Sequence, residues 1–390
     1  MRARSASQSF RGGGMELPGF ATPEGTARYR DRFAGRAAAG HFRERRGLWL
    51  SSLGIGTYLG AHDEATDERY ARAVARALEL GANVIDTAIN YRFQRSERAV
   101  GAAVHALIQQ GRLARDEVIV ASKAGFLTFD ADPPPDPAGY FQREYVDTGV
   151  VKPEDVVAGM HCMTPRYLED QLERSRRNLG LETLDIYFLH NPETQLGVLP
   201  RAEFLSRIRA AFKKLEECVA AGKIRCYGTA TWDGYRQAPR ARDFLSLPEL
   251  VEVAREVGGA SHHFCCAQLP YNLAMPEALL HSNQPMEAGP VPLLEAAERL
   301  GITVLASASL LQGQVARNLP DDLRAAINGG LETDAQRALQ FVRSTPGVGA
   351  ALVGMSRLEH VEENLRLVEK PLVPPETFRR VFLRGPEPGA

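Results

Sequence analysis

The feature that most constrains this chain is a regular alternation of helix-like and strand-like segments beginning near Leu48. Helix-like stretches end at a glycine and short β-branched runs follow: Gly81 precedes NVIDTA, Gly180 precedes LETLDIYFLH, Gly222 precedes KIRCYGTA and Gly301 precedes ITVLASA. Glycine ends helices because it adopts the left-handed conformation without steric cost. The strand-like runs are short and apolar, as strands covered on both faces must be. The pattern predicts repeated αβ junctions.

Eight strand candidates alternate with helices. They lie around Leu53–Gly56, Val84–Asp86, Val118–Ala121, Asp185–Leu189, Ile224–Gly228, Phe264–Leu269, Thr303–Ala306 and Ala350–Val353. A (β/α)8 TIM barrel of the α/β class fits this number, and a doubly wound sheet fits the alternation too. The doubly wound sheet usually carries a G-x-G-x-x-G turn, and SLGIGTYLG lacks that spacing. We therefore predict the barrel.

The domain prediction has three parts. Residues 1–40 are rich in Gly, Arg and Ser and predict a flexible leader, 41–370 form the barrel, and 371–390 form a C-terminal tail. A long insertion, residues 127–163, follows the third strand candidate, so we expect it at the active face as a lid or binding loop. Its aromatic residues Tyr140, Phe141 and Tyr145, with Trp232, are candidates for lining a pocket, and packing explains each equally well.

The composition excludes several kinds of partner. The 47 basic and 48 acidic residues give a net charge of −1, which argues against nucleic-acid or membrane-surface binding. No apolar run approaches the ~20 residues that a membrane span needs. The 5 cysteines predict a reduced, cytoplasmic chain. The run His262–Cys266, HHFCC, looks like a metal cluster, but neighbours in a strand alternate faces, so we expect a core strand.

Four polar residues stand where strand-like runs give way to polar segments: Asp86, Tyr91, Lys123 and His190. Together they could polarise and protonate a carbonyl oxygen. A tyrosine titrates near ~10, so it needs a neighbouring ammonium to lower its pKa before it serves as a general acid. In this interpretation Tyr91 is the acid–base, Lys123 tunes it, Asp86 holds Lys123, and His190 orients the substrate oxygen. Each residue alone has an ordinary structural explanation, as a cap, a packing ring, a snorkelling lysine or a core histidine.

The order of these four residues and their local motifs resemble the catalytic tetrad of the aldo-keto reductase family, from roughly Leu48 to Val368. The resemblance implies an NAD(P)H-dependent oxidoreductase that reduces an aldehyde or ketone, or runs in reverse. The implied nicotinamide contacts are Thr57, Tyr58, Thr231 and Gln268. VGMSRLEHVEENL resembles the family's motif for the adenosine and its 2′-phosphate, which implies Gly354, Ser356, Arg357, His360, Glu363 and Asn364.

The cofactor side departs from the family pattern. Where many relatives have Ser and Asn for the carboxamide, this chain has Ala230 and Thr231, and Ser307 replaces an aromatic residue that stacks on the nicotinamide. We expect a weaker or differently seated nicotinamide. Arg357 in the motif or Arg317 after the seventh strand could take a 2′-phosphate, so NADP(H) is preferred and NAD(H) is possible.

Two other functions stay open. The first is a cofactor-binding redox sensor or regulatory subunit on the same barrel with little turnover. The second is an aldolase-type barrel that uses Lys123 as a Schiff-base amine. The expected partner is a small carbonyl or alcohol substrate, with no nucleic acid, no membrane and no bound metal. The sequence predicts neither the substrate nor the oligomeric state.

Overall fold

The computed structural model describes residues 16–374. The strands of this part are β1 (Phe42–Arg45), β2 (Leu48–Ser51), β3 (Leu53–Gly56), β4 (Val84–Asp86), β5 (Ile119–Ala124), β6 (Leu184–His190), β7 (Ile224–Ala230), β8 (Phe264–Pro270), β9 (Thr303–Ser307) and β10 (Val348–Gly354). Strands β3 to β10 form a closed parallel barrel, in which β10 pairs with β3. The predicted barrel and its eight strand positions are confirmed.

Helices surround the barrel. They are α1 (Pro23–Asp31), α2 (Glu64–Glu79), α3 (Arg95–Gln109), α4 (Pro137–Phe141), α5 (Pro165–Leu179), α6 (Arg201–Ala220), α7 (Leu247–Gly258), α8 (Glu277–Leu280), α9 (Leu293–Arg299), α10 (Asp321–Ala326), α11 (Asp334–Ser344) and α12 (Leu358–Leu365). Helix α2 begins where Asp63 accepts the Thr66 amide, and it buries Tyr70, Val74 and Leu78 against the barrel. Gly180 ends α5 with φ 64°, as the sequence predicts.

Two layers of apolar side chains make the core. Inside the barrel, residues such as Val84, Ile119, Ile186, Phe188 and Leu305 form one cluster. A larger cluster fills the space between the outer faces of the strands and the helices. Because all eight strands of the barrel are parallel, their carboxyl ends lie at one rim. The polar residues at those ends are therefore brought together there.

The amino-terminal segment closes the opposite end of the barrel, which we call the floor. Helix α1 and the antiparallel hairpin β1–β2 cover the floor, and the Tyr29 ring is buried with its hydroxyl on the Leu78 carbonyl. The Leu17 amide also donates to the Gly180 carbonyl at 2.8 Å. The expected flexible leader is therefore wrong for residues 16–40, because a few aromatic side chains anchor a segment of polar composition. Residues 1–15 of that prediction lie outside the described residues.

The insertion of residues 127–163 is folded against the rim. It contains α4 and the π-helical turn Gln142–Val146, and the Leu127 amide donates to the Met160 carbonyl at 2.8 Å. The Tyr145 ring is buried, and its hydroxyl donates to the Thr128 carbonyl at 2.7 Å. For Tyr145, packing is therefore the correct interpretation.

The cysteines differ from the sequence-based expectation. Cys226 on β7 and Cys265 on β8 form a disulfide with Cα atoms 6.2 Å apart, so five reduced thiols are not found. A register shift between Tyr227 and Gly228 leaves Cys265 without a regular partner on β7. Cys265 and Cys266 consequently both face the barrel interior, and the strict alternation that we expected for this run is wrong.

The described residues include no helix that is long and apolar enough to cross a membrane. At the carboxyl end, the Val373 amide donates to the Ser344 hydroxyl at 3.0 Å and the Gln340 amide donates to the Pro371 carbonyl at 2.6 Å. The start of the predicted tail is thus bound at the floor. Residues 375–390 lie outside the described part of the chain.

Candidate active site

The four sequence-predicted residues meet at the carboxyl rim of the barrel. Asp86 ends β4, Lys123 lies near the end of β5, and His190 ends β6, so three neighbouring strands deliver them to one place. Tyr91 lies five residues beyond Asp86, in the loop before α3. In (β/α)8 enzymes this rim is where catalytic groups are found.

Lys123 is the centre of the site. Its Nζ donates to Asp86 Oδ2 at 2.7 Å, to the Thr87 carbonyl at 2.9 Å and to Tyr91 Oη at 3.2 Å. The lysine side chain is fully buried. These three acceptors use all three donors of the ammonium, so its position is fixed and one N–H points at the phenol oxygen.

Burial controls the protonation of Tyr91. Burial is the main cause that raises the pKa of Tyr91 well above 10, and the Asp86 carboxylate raises it further. The sequence predicts that Lys123 lowers this pKa, whereas the net shift is upward and burial is its largest cause. Burial lowers the pKa of Lys123 and Asp86 opposes that change. The resting site thus holds Tyr91 as a neutral phenol that can donate its proton.

His190 stands on the other side of the phenol. Its ring centroid lies 5.7 Å from that of Tyr91 and 5.2 Å from that of Phe126, both edge-on. Its Nδ1 lies 3.2 Å from Asn90 Oδ1. Burial, followed by the charge of Lys123, lowers the pKa of His190 well below 6.5. The imidazole is therefore neutral near neutral pH, and its other nitrogen, Nε2, is available to a ligand.

The loop behind Tyr91 has an unusual backbone. Arg92, Phe93 and Gln94 have φ angles of 49°, 54° and 71°, in the left-handed region that ordinary side chains rarely adopt. The buried Arg92 guanidinium holds this loop through the Ala61 carbonyl at 2.9 Å and an ion pair with Asp67. Backbone strain of this kind concentrates at functional sites and is maintained by the surrounding contacts.

The predicted nicotinamide residues also lie at this rim. Gln268 Nε2 donates to Asp86 Oδ1 at 2.7 Å, which links β8 to the tetrad and leaves Gln268 Oε1 as an acceptor. The Thr231 hydroxyl donates to the Gln268 carbonyl at 3.4 Å. The Thr57 hydroxyl donates to the Asp86 carbonyl at 3.3 Å, and the Tyr58 ring packs edge-on 4.9 Å from the Tyr91 ring.

The predicted adenosine residues lie further along the rim, at the end of β10 and in α12. A Cβ on Gly354 would meet nothing within 4 Å, so this position is open. Arg357 and His360 are exposed near the first turn of α12, and Ser356 is half-buried. Helix α12 has no side-chain cap at its amino terminus, so its first amides are available to an anion.

Two residues of this group differ in availability. Asn364 is buried and its Oδ1 has no hydrogen-bond partner among the described residues, which suits an amine donor from a ligand. Glu363 instead accepts from the Thr333 hydroxyl at 2.6 Å, so it already has a protein partner. The set fits a nucleotide, with Glu363 the member that already has a protein hydrogen-bond partner.

Sequence analysis missed several residues that shape the site. Asn90 contacts His190, and His161 Nε2 lies 2.7 Å from the His190 carbonyl. Glu193 Oε1 accepts the backbone amides of Trp232, Asp233 and Gly234 at 2.7, 3.1 and 3.4 Å. Of the residues that the sequence did indicate, Trp232 is 41% exposed and Tyr58 is 56% exposed at the rim. Position next to a tetrad member was the only sequence signal for Asn90.

Fold and site together define a (β/α)8 barrel with an acid, an amine, a phenol and an imidazole at its carboxyl rim. A sequence model of the Aldo/keto reductase family matches residues 52–381, which is most of the chain. The chain belongs to the aldo/keto reductase family.

Named relatives agree with the family. The chain is 27% identical over 208 residues to the NADH-specific methylglyoxal reductase of Escherichia coli K12, covering 52% of this chain and 54% of that protein. It is 28% identical over 201 residues to the D-threo-aldose 1-dehydrogenase of a Pseudomonas species, covering 50% of this chain and 55% of that protein. The chain thus spans about half the length of the curated relatives it matches.

Solved structures share the fold. An aldo/keto reductase from Klebsiella pneumoniae in complex with NADP and acetate has a TM-score of 0.58 at 21% identity, over 89% of this chain and 94% of that one. The holo form of an aldo-keto reductase from Bacillus halodurans has a TM-score of 0.58 at 20% identity, over 87% of this chain and 94% of that one.

Proposed function

We propose that this chain is an NAD(P)H-dependent oxidoreductase that reduces an aldehyde or ketone to an alcohol, or runs the reverse reaction. The observation that carries the proposal is the contact of Lys123 Nζ with both Asp86 and Tyr91 Oη at the rim. A buried, fixed ammonium beside a neutral phenol is suited to proton donation. Membership of the family supports the same chemistry.

The proton transfer follows from the resting state of the site. A nicotinamide held by Thr57, Tyr58, Thr231 and Gln268 would supply a hydride for the carbonyl carbon. As negative charge develops on the substrate oxygen, Tyr91 transfers its proton to that oxygen, and Lys123 stabilises the phenolate left behind at 3.2 Å. His190 orients the substrate oxygen through the ring nitrogen that Asn90 does not contact. In the oxidative direction the phenolate would take the proton back.

The cofactor proposal is NADP(H), with NAD(H) possible. Thr57, Tyr58, Thr231 and Gln268 are proposed for the nicotinamide end, and residues of β10 and α12 for the adenosine end. Arg357 is exposed beside the uncapped start of α12, where a 2′-phosphate would find both a cation and free amides. Relatives include an NADH-specific reductase and an NADP complex, so NADPH and NADH should be titrated in parallel. Submicromolar binding of either would contradict a weakened nicotinamide site.

The first prediction concerns Tyr91. Tyr91→Phe keeps the ring and removes the transferable proton, so turnover of NADPH with a small reactive aldehyde should fall about 100-fold or more. Tyr271→Phe is the matched control, because Tyr271 is also a buried phenol but bonds to Thr345 away from the rim. Absorbance of the reduced nicotinamide measures both rates.

Two results would contradict the proposal. Equal, very slow rates for wild type and Tyr91→Phe, with cofactor still bound, would favour the sensor or regulatory subunit. Borohydride trapping of a substrate adduct on Lys123 would favour a Schiff-base mechanism.

A further inference from the structure

Three cysteine side chains converge inside the barrel near its floor, at the end opposite the tetrad. The sulfur atoms of Cys226, Cys265 and Cys266 all lie within 4.8 Å of one another. Cys265 Sγ and Cys266 Sγ are 3.4 Å apart. Cys265 and Cys266 are almost fully buried, and Cys226 is half-buried. We call these three residues the thiol triad.

The triad depends on an irregularity in the sheet. Tyr227 pairs with Phe264 and Gly228 with Cys266, so β8 has one extra residue at Cys265. In a regular strand, Cys265 and Cys266 would point to opposite faces. The bulge turns both side chains inward, toward Cys226 on the neighbouring strand.

We propose that the reduced thiol triad binds one Cu(I) ion through its three sulfur atoms. Thiolate ligands select soft cations such as Cu(I). The triad offers three ligands, one fewer than the four that closed structural zinc sites use, which favours Cu(I) over zinc. Among the described residues, no histidine or carboxylate lies close enough to these sulfur atoms to complete the group.

Charge and access are consistent with this site. Three thiolates and one Cu(I) carry a net charge of −2. Arg46, in the turn between β1 and β2, is close enough for its positive charge to act electrostatically on Cys266. The half-buried Cys226 gives the ion a path from solvent.

The disulfide makes the site depend on redox state. An external dithiol must first supply two electrons and two protons: the Cys226–Cys265 bond breaks, two thiols form, and the dithiol becomes its own disulfide. Cu(I) then displaces the three thiol protons, which are released to solvent water, and three metal–sulfur bonds form. The oxidised chain retains only the Cys266 thiol in the triad, so it should not form the site.

Anaerobic titration of the full reduced chain with Cu(I), in competition with a colorimetric chelator, tests the proposal. We expect one tightly bound ion per chain, and an affinity at least about 100-fold lower in Cys226→Ser and in Cys266→Ser. Cys218→Ser is the matched control, because Cys218 is a buried free thiol on α6 outside the triad. Cys218→Ser and Tyr91→Phe should bind as wild type does.

The contradicting outcomes are specific. Equal affinity of wild type and Cys226→Ser, equal binding by the oxidised chain, or a matching loss in Cys218→Ser would overturn the site. Ultraviolet thiolate-to-copper absorption provides a second readout, and circular dichroism verifies that each variant is folded. A Zn(II) complex that Cu(I) fails to displace would also overturn the proposal. None of these outcomes bears on the reductase reaction, since Tyr91 is not involved.

Discussion

Asn90 immediately precedes Tyr91, and its side chain extends to the imidazole of His190, with Oδ1 3.2 Å from Nδ1. A hydrogen bond at one ring nitrogen decides whether the other nitrogen donates or accepts. If the ring Nδ1–H donates to Asn90 Oδ1, Nε2 accepts from an alcohol; if the Asn90 amide N–H donates to Nδ1, Nε2–H donates to a carbonyl. An asparagine permits both states by rotation of its amide, which would suit the proposed reaction in either direction.

Asn90→Leu should therefore slow catalysis without weakening cofactor binding. We expect kcat to fall about fivefold, the equivalent of about 1 kcal/mol for one hydrogen bond, with an unchanged Kd for NADPH. Asn90→Asp retains an acceptor, so it should keep the ring in place and raise the pKa of His190, which NMR of the ring would report. An unchanged kcat in Asn90→Leu would show that the contact has no positioning role.

At the scale of elements, the loop after β7 is held by Glu193, which lies in the turn that follows β6. The Glu193 carboxylate accepts three consecutive amides of this loop, which includes the exposed Trp232. Burial raises the pKa of Glu193 to about 7 although these amides favour the charged form. Since Trp232 stands at the rim, we propose that this loop forms part of the wall of the substrate pocket.

Glu193→Ala should release this loop and weaken substrate binding more than the chemical step. We expect KM for the carbonyl substrate to rise roughly tenfold, about 1.4 kcal/mol, with a smaller change in kcat. Glu193→Gln keeps an acceptor oxygen and should stay near wild type. The chain has 2 tryptophans, so a change of emission in Glu193→Ala but not in Glu193→Gln would report Trp232. A change confined to kcat would contradict this role.

Strand periodicity made the barrel and its rim predictable. Asp86, Lys123 and His190 each follow an apolar run, and parallel strands bring such ends together whatever the loops do. Contacts that depend on register were not predictable. The Gln268–Asp86 bond joins residues 182 apart in sequence, and the bulge at Cys265 changes one strand by a single residue. The upward shift of the pKa of Tyr91 was not predictable either, because the burial that causes it cannot be read from a local motif.

At the scale of the whole molecule, the buried His41 links separate segments of the floor through hydrogen bonds. His41 Nε2 lies 2.9 Å from the Gly81 carbonyl, so it carries the proton, and Nδ1 lies 2.9 Å from the Ser52 hydroxyl. The buried Arg343 guanidinium donates to the same hydroxyl at 2.9 Å. Burial is the main cause that lowers the pKa of His41 to about 3, and the charge of Arg343 adds to it.

This histidine should make the protein sensitive to mild acid. The folded pKa is below the unfolded value of 6.5, so the unfolded chain binds more protons and stability decreases as pH falls through 6.5. From about pH 7 to about pH 5 the loss from His41 alone is about 2 kcal/mol. Urea unfolding at both pH values measures it. His41→Gln keeps a donor and an acceptor but does not titrate, and an undiminished acid loss in this variant would contradict the assignment.

The floor also brings the two ends of the described chain to one side of the molecule. Leu17 bonds beside the start of β6, Val373 bonds to the end of α11, and Arg36 pairs with Glu369 between them. The tetrad lies at the far end of the strands. A purification tag, a surface linker or a fused partner joined directly at residue 16 or residue 374 would therefore leave from the back of the barrel. Protein immobilised through such an attachment should keep its carboxyl rim accessible to substrate.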